Sequence, residues 1–232
     1  MKQIVTTDGS HTLQSERVND TYHSINGAIA EANIVYIRNG LHYCFDRFSE
    51  DIHLLEVGFG TGLNALLTCL EAGKSNRHVF YYSLEPFPIM VDEALTLNYS
   101  ELLSDKDGLF KKIHQSPWNE PIEITSDFTL IKIPESLQNV DLVYSEYHLI
   151  YFDAFGPDKQ PELWDDSMLY KVASNTILNG VFTTYSTKGT VKRALKKNGF
   201  FIEKLPGPVG KREVLRAVKK SVPENFCSSD LK

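Results

Sequence analysis

Seven short apolar runs punctuate the chain: HLLEV (53–57), VFYYSLE (79–85), FTLIKI (128–133), YHLIYFDAF (147–155), GVFTTYS (180–186), GFFIEKL (199–205) and REVLRAV (212–218). Their length and their β-branched and aromatic content predict strands. Segments with helical spacing lie between most of them. In the first, Leu63, Leu66, Leu67 and Leu70 recur on one face, and Gly73 is the predicted stop. Strand alternating with helix predicts a mostly parallel sheet covered on both faces. Only PGPVGK separates the last two runs, too short for a crossover helix, so they are predicted to pair as an antiparallel hairpin. The predicted fold class is α/β, with a mostly parallel seven-stranded sheet that ends in that hairpin.

Residues 1–50 differ in character, with polar stretches, histidines at 11, 23 and 42, and one helical candidate near Ile25 to Arg38. They predict a small N-terminal extension packed on a main domain of residues 51–220, followed by a C-terminal tail of residues 221–232. At 232 residues one domain of ordinary core size is expected. With 42% hydrophobic and 23% charged residues, the chain resembles neither a disordered nor a fibrous protein. No run approaches the length of a membrane span, and the N-terminus lacks the apolar core of a secretory signal, so a cytoplasmic location without membrane attachment is expected. Cys44, Cys69 and Cys227 are too far apart for a C-x-x-C metal site and read as ordinary thiols, so no metal is expected.

The net charge of −6 argues against indiscriminate nucleic-acid coating, yet it hides an asymmetry. Between Lys188 and Lys220 stand eleven Lys or Arg against Glu203 and Glu213. Lys192, Arg193, Lys196 and Lys197 share one helical stretch, and Lys211, Arg212 and Arg216 follow a GPVG turn. A solvated helix surface accounts for the charge alone; a phosphate-facing patch accounts for its one-sidedness.

The first strand-to-helix turn, EVGFGTGLN, places glycines at 58, 60 and 62. Glycine permits positive φ and lets backbone approach a ligand closely. The G-x-G-x-G spacing is not the dinucleotide G-x-G-x-x-G, and the turn carries no GK[ST], which excludes a P-loop there. An acid followed by this spacing is similar to the first motif of S-adenosylmethionine-dependent methyltransferases, in which backbone packs on the methionine portion. The parallel sheet with one reversed strand is likewise similar to their Rossmann-like class I fold. Candidate cofactor contacts are therefore Glu56, Gly58, Phe59, Gly60, Gly62 and Asn64. Glu85 at the end of the second strand is placed to accept both ribose hydroxyls, and its alternative is a surface acid before Pro86. For the adenine, IKIPESL offers Glu135, with Ser136 beside it.

Asp153 ends the strand predicted within the fourth run, and ligands of open α/β sheets sit outside the carboxyl ends of the strands. D-A-F-G-P is similar in layout to the D-P-P-Y type motif of enzymes that methylate exocyclic amines. An alkyl amine with a pKa of ~10.4 is mostly protonated at neutral pH, so some group must favour its neutral form. Asp153 is the candidate to orient the amine and take part in its deprotonation, with Phe155 packed on the substrate base. The competing reading is an Asp that caps the following helix.

Five stretches taken together, GFGTGLN (58–64), LEPFPI (84–89), YFDAFGPDKQPELW (151–164), TYSTKGTVKRALKKNGF (184–200) and GKREVLRA (210–217), resemble the methyltransferase half of the bacterial MnmC family. The D-x-F-x-P-x-x-x-P-x-x-W pattern and the GKRE turn carry most of the likeness, which extends from about Ser24 onward. The resemblance implies methyl transfer from S-adenosylmethionine to the aminomethyl nitrogen of a tRNA wobble uridine. It implies cofactor contacts at Gly58, Gly60, Gly62, Asn64 and Glu85 and a catalytic-pocket Asp153. IKIPES departs from the family's usual Gly-Asp pair, which leaves the adenine contact open. Tyr22, His23 and Ser24 match the family's D-x-Y-x-S pattern and are expected to close over the cofactor; His23 alone reads more readily as structural. Lys188, Lys192, Arg193, Lys211 and Arg212 are then candidates to hold tRNA phosphates. The family's second half is a flavin oxidoreductase, and no FAD-type glycine motif follows here, so the expectation is methylation alone, without FAD, with a separate FAD-dependent oxidoreductase acting upstream. Two alternatives stand beside this: a small-amine methyl- or aminopropyl transferase, and a catalytically silent RNA-binding module.

Overall fold

The computed structural model describes residues 1–142 and 146–220; the tail expected at 221–232, which contains Cys227, lies outside them. The chain opens with β1 (Lys2–Val5), β2 (His11–Ser15) and β3 (Asp20–Thr21), a small antiparallel sheet. A continuous helical run follows, comprising α1 (Ala28–Ala32), a π-helical stretch (Asn33–His42) and α2 (Tyr43–Phe45). The helix expected near 25–38 is thus present and extends to residue 45. From there come β4 (Ile52–Val57), α3 (Leu63–Ser75), β5 (Val79–Leu84), α4 (Val91–Ala94), α5 (Tyr99–Leu102), α6 (Leu109–Gln115), β6 (Pro121–Thr125) and β7 (Phe128–Ile133). The C-terminal half adds β8 (Tyr147–Phe152), a short 3-10 turn (Pro161–Leu163), α7 (Asp166–Ser174), β9 (Thr176–Thr184), α8 (Gly189–Lys197), β10 (Phe200–Pro206) and β11 (Glu213–Lys219).

All seven predicted strands lie in one sheet of order β10-β11-β9-β8-β4-β5-β7-β6. β4, β5, β7, β8 and β9 are parallel to their neighbours in this set, whereas β11 runs antiparallel to both β9 and β10. The eighth strand, β6, adds antiparallel to the edge at β7. Its sequence PIEIT holds no continuous apolar run: it starts with proline and includes an exposed Glu123, both features that suit an edge. The first helix also outlasts its predicted stop. α3 passes through Gly73 and ends at Asn76, which takes the left-handed conformation at φ 48° that Asn tolerates better than other residues with a Cβ.

The pleat sorts the strands' side chains into two cores. Leu54, Tyr81, Leu149, Tyr151 and Val181 face α3 and α6, while Leu55, Val57, Ile150, Phe152 and Phe182 face α7 and α8. Leu13, Ala28, Val35 and Leu41 of the first fifty residues belong to the former core, so the N-terminal segment is fastened over the sheet by apolar burial. Gly40 allows that fit: a Cβ there would lie 3.1 Å from the Tyr151 ring. Among the described residues no helix is long and apolar enough to cross a membrane.

Candidate active site

Chain order and sheet order diverge between β4 and β8, the position at which open α/β sheets leave a crevice beyond their strand ends. Here the crevice is a cavity of about 570 Å³ bordered by the loops after β4, β5, β7 and β8 and by residues 20–24. The glycine turn adopts positive φ at all three positions, 98° at Gly58, 50° at Gly60 and 73° at Gly62. They serve different ends. A Cβ on Gly58 would lie 2.8 Å from the Asp153 carbonyl oxygen, and one on Gly60 would lie 3.0 Å from the Tyr22 ring; both glycines border the cavity. Gly62 instead faces His114, whose Nε2 would be 2.8 Å from a Cβ, and Phe59 is buried against His114 and Trp118. Neither Phe59 nor Gly62 lines the cavity, and the two hold the turn onto α6.

Glu85 accepts hydrogen bonds from the Gly60 and Phe87 amides, each at 3.0 Å, and lines the cavity at 8% exposure. Burial pushes its carboxyl up and the two amides pull it down. It therefore fixes the loop while keeping lone pairs toward the cavity. Glu135 and Ser136 stand on the rim, with Glu135 exposed. Tyr22 lies over Gly60 with its ring 5.1 Å from that of Phe155. His23 bonds Thr61 Oγ1 at 2.6 Å, and burial lowers it to about 4, so it is a neutral side chain that braces the cavity wall.

Asp153 opens on the cavity from the end of β8. Tyr36 donates its hydroxyl to Asp153 Oδ1 at 2.5 Å, and Asn64 donates its amide to Oδ2 at 2.8 Å. The same Asn64 amide donates to Glu56 Oε1 at 3.1 Å, and Ser83 Oγ donates to Glu56 Oε2 at 2.6 Å. Glu56 and Asn64 thus sit beneath the cavity and do not border it; they are the footing of Asp153. Burial pushes Glu56 up to about 7, against the hydrogen bonds from Ser83 and Asn64. Burial likewise holds Asp153 well above the carboxylate range, reinforced by the charges of Glu56 and Glu31 and opposed by its bonds to Tyr36 and Asn64. Asp153 caps no helix, so the competing reading fails: the next helical turn begins at Pro161, and Asp165 caps α7.

A glycine cradle that leaves no room for a Cβ, an acid locked beside it and a carboxylate facing across an aromatic-lined crevice fit an adenosyl amino acid. The sequence profile of S-adenosyl-L-methionine-dependent methyltransferases matches residues 105–220, half of the chain. The chain belongs to this family. It is 28% identical over 247 residues to the tRNA 5-methylaminomethyl-2-thiouridine biosynthesis bifunctional protein MnmC of Burkholderia pseudomallei, a match covering 95% of this chain and 37% of that protein. The same protein of Hydrogenovibrio crunogenus is 28% identical over 214 residues, covering 86% of this chain and 31% of its own. The chain therefore spans about a third of the length of these curated relatives. Among solved structures, MNMC2 from Aquifex aeolicus superposes with a TM-score of 0.70 at 24% identity, covering 96% of this chain and 71% of that one, which establishes the shared fold.

The methyltransferase commits much of its basic segment to internal pairing. Lys188 pairs with Asp158, Lys197 with Asp166 at 2.9 Å, Lys204 with Glu213 at 2.9 Å and Arg216 with Glu203 at 2.5 Å. Lys188 and the 207–212 turn both lie at the carboxyl end of β9, the side of the cavity, as the Leu215–Thr184 pairing requires. Arg193 and Arg212 are exposed and Lys192 half-buried, whereas Lys211 turns inward to Glu31 and borders the cavity.

Sequence reasoning misses Tyr36, Glu31, Tyr185 and Arg17, which also shape the site. Tyr36 reads as one more apolar position of a helix, and nothing in its spacing reveals a hydroxyl aimed at a residue 117 positions away. The tryptophan that ends the D-x-F-x-P-x-x-x-P-x-x-W pattern fixes the loop after Asp153. Trp164 Nε1 donates to the Phe155 carbonyl at 2.8 Å, and Gln160 Oε1 accepts from the Phe155 amide at 3.2 Å.

Proposed function

We propose that this methyltransferase transfers the methyl of S-adenosylmethionine to the aminomethyl nitrogen of 5-aminomethyl-(2-thio)uridine at the wobble position of tRNA, giving the 5-methylaminomethyl base. The reading rests chiefly on Asp153, a carboxylate presented at the mouth of the glycine cradle and held by two donors, together with the names of the relatives. S-adenosylmethionine, when bound, supplies an electrophilic methyl on a sulfonium. Gly58 and Gly60 admit it against bare backbone, Glu85 offers lone pairs to its ribose hydroxyls, Tyr22 closes over it, and Glu135 borders the adenine end. Asp153 orients the amine and accepts a proton from it, because an alkylammonium with a pKa of ~10.4 has no lone pair to offer. Burial disfavours the ionised carboxylate that this role needs; the Tyr36 and Asn64 bonds favour it, as does the positive charge of an arriving ammonium beside it. Phe155 flanks the base, and an unstacked base held on an aromatic ring is the usual mode of single-stranded RNA recognition.

Lys188, Lys192, Arg193 and Arg212 carry the tRNA backbone toward the cavity, with Lys211 behind them at its wall. An FAD-dependent oxidoreductase, fused or separate, would act upstream to supply the aminomethyl base, and the setting is the cytoplasm, where tRNA is matured. The test is transfer of labelled methyl to tRNA lacking only its terminal methyl. Incorporation confined to the wobble nucleoside supports the reading; label in another nucleoside, or none in tRNA, refutes it.

A further inference from the structure

The deepest charged pair along the cavity wall has no part in the methyl-transfer step above. Glu31, on α1, and Lys211, in the turn between β10 and β11, come from opposite ends of the chain and form an ion pair in which their side chains are 10% and 29% exposed. The Ser24 amide donates to Glu31 Oε2 at 3.1 Å, so one carboxylate oxygen is fixed and the other is left for Lys211. The Lys211 ammonium also sits over the Tyr185 ring, 4.2 Å from its centroid. Tyr185 in turn donates its hydroxyl to the carbonyl of Ala154, the residue that follows Asp153, at 2.9 Å. All of these groups border the same cavity.

A half-desolvated ion pair is a poor source of stability, since the cost of removing both charges from water offsets their attraction. As a binding site it is well made. A fixed carboxylate oxygen beside the electron-rich face of an aromatic ring is a pairing that selects a cation, and the group occupying it is a primary alkylammonium. Lys211 reaches the spot on a flexible four-carbon stem from a surface turn, so the ammonium that fills the site is one that can swing away.

The geometry points to Glu31 and Tyr185 as a receptor for the substrate's primary alkylammonium, with the Lys211 ammonium as the stand-in that fills it in the free protein. This rests on the proposed function only for which amine arrives; the chemistry of the site asks for a primary alkylammonium of any source. The arriving amine enters in its protonated form, displaces Lys211 toward the solvent side where tRNA phosphates approach, and is held within reach of Asp153 for the loss of its proton.

The experiment uses ethylammonium chloride as the probe, with ethanol as the neutral control and sodium chloride to match ionic strength, read by ligand-observed NMR on the full chain. Lys211→Ala vacates the site and is expected to bind ethylammonium saturably, at least about tenfold more tightly than the wild type, because an occupant reduces apparent affinity by the fraction of time the site is closed. Adding Glu31→Gln to Lys211→Ala is expected to remove that binding, and ethanol is expected to show none. Lys211→Ser provides the same vacancy should the alanine variant fail to fold, which circular dichroism reports. Equal affinity in wild type and Lys211→Ala, or binding that survives Glu31→Gln, overturns the inference. These arms need neither methyl donor nor tRNA. A failed methyl-transfer assay would leave the ammonium site standing, and an absent ammonium site would leave methyl transfer to tRNA standing with its amine recognised elsewhere.

Discussion

Tyr36→Phe removes a single oxygen atom from a ring that is 2% exposed and leaves the π-helical stretch that carries it unchanged. The deleted hydroxyl donates to Asp153 Oδ1 at 2.5 Å. A hydrogen bond to a charged group contributes roughly 1.5–3 kcal/mol. At about 1.4 kcal/mol for each pKa unit, its loss raises the Asp153 carboxyl by roughly 1–2 units. The direction follows from the charge: the Tyr36 bond favours the ionised carboxylate, burial opposes it, and deleting the bond lets burial dominate further. If the ionised Asp153 is the form that takes the amine's proton, turnover falls as pH drops through its pKa. The acid limb of the kcat profile for methyl transfer should therefore move toward higher pH by about 1–2 units in Tyr36→Phe, with cofactor affinity measured by calorimetry unchanged. Asp153→Ala in the same assay should abolish turnover while sparing cofactor binding. A limb that stays in place, or moves to lower pH, refutes the coupling of Tyr36 to the reaction.

Gly58→Ala forces a Cβ to within 2.8 Å of the Asp153 carbonyl at a φ of 98°; it should cost about 1–3 kcal/mol in urea unfolding and weaken cofactor binding. Glu56, raised by burial to about 7, keeps a proton in the native state that the unfolded chain releases near its ordinary value of 4.5. The native state is therefore favoured below that ordinary value, and the advantage disappears as pH climbs to about 7, a contribution on the order of 3 kcal/mol. Glu56→Gln should flatten this part of the stability curve, measured by denaturant unfolding at acid and mildly alkaline pH. Lys192→Ser combined with Arg212→Ser should reduce the slope of log K against log salt for tRNA by about 0.7–0.9 for each phosphate the two side chains no longer neutralise. An unaltered slope would remove these residues from the interface.

Strands are legible in proportion to their burial. β4, β5, β7 and β8 lie inside the sheet and read as unbroken apolar runs, whereas β6, exposed at an edge and opened by a proline, carries no such run. The glycine turn is legible as a turn, but not in its orientation. Gly58 and Gly60 meet the cavity while Phe59 and Gly62 meet α6, a distinction set by the packing of His114 and invisible in the spacing. Asp153 can be placed because strand ends are predictable. Its footing cannot, because Tyr36, Asn64, Glu56 and Ser83 converge from four separate elements. The basic segment stands out as an excess of charge, yet several of its acidic partners, Asp158, Asp166 and Glu31, lie outside it in sequence.

Calorimetric titration of the protein with S-adenosylmethionine, beside a parallel titration with a nicotinamide dinucleotide, bears most directly on whether the turn at residues 58–62 seats a sulfonium donor. Saturable one-to-one binding of S-adenosylmethionine is expected, weakened by Gly58→Ala and preserved by Asp153→Ala. Binding of the dinucleotide instead, or no heat with either, would contradict it.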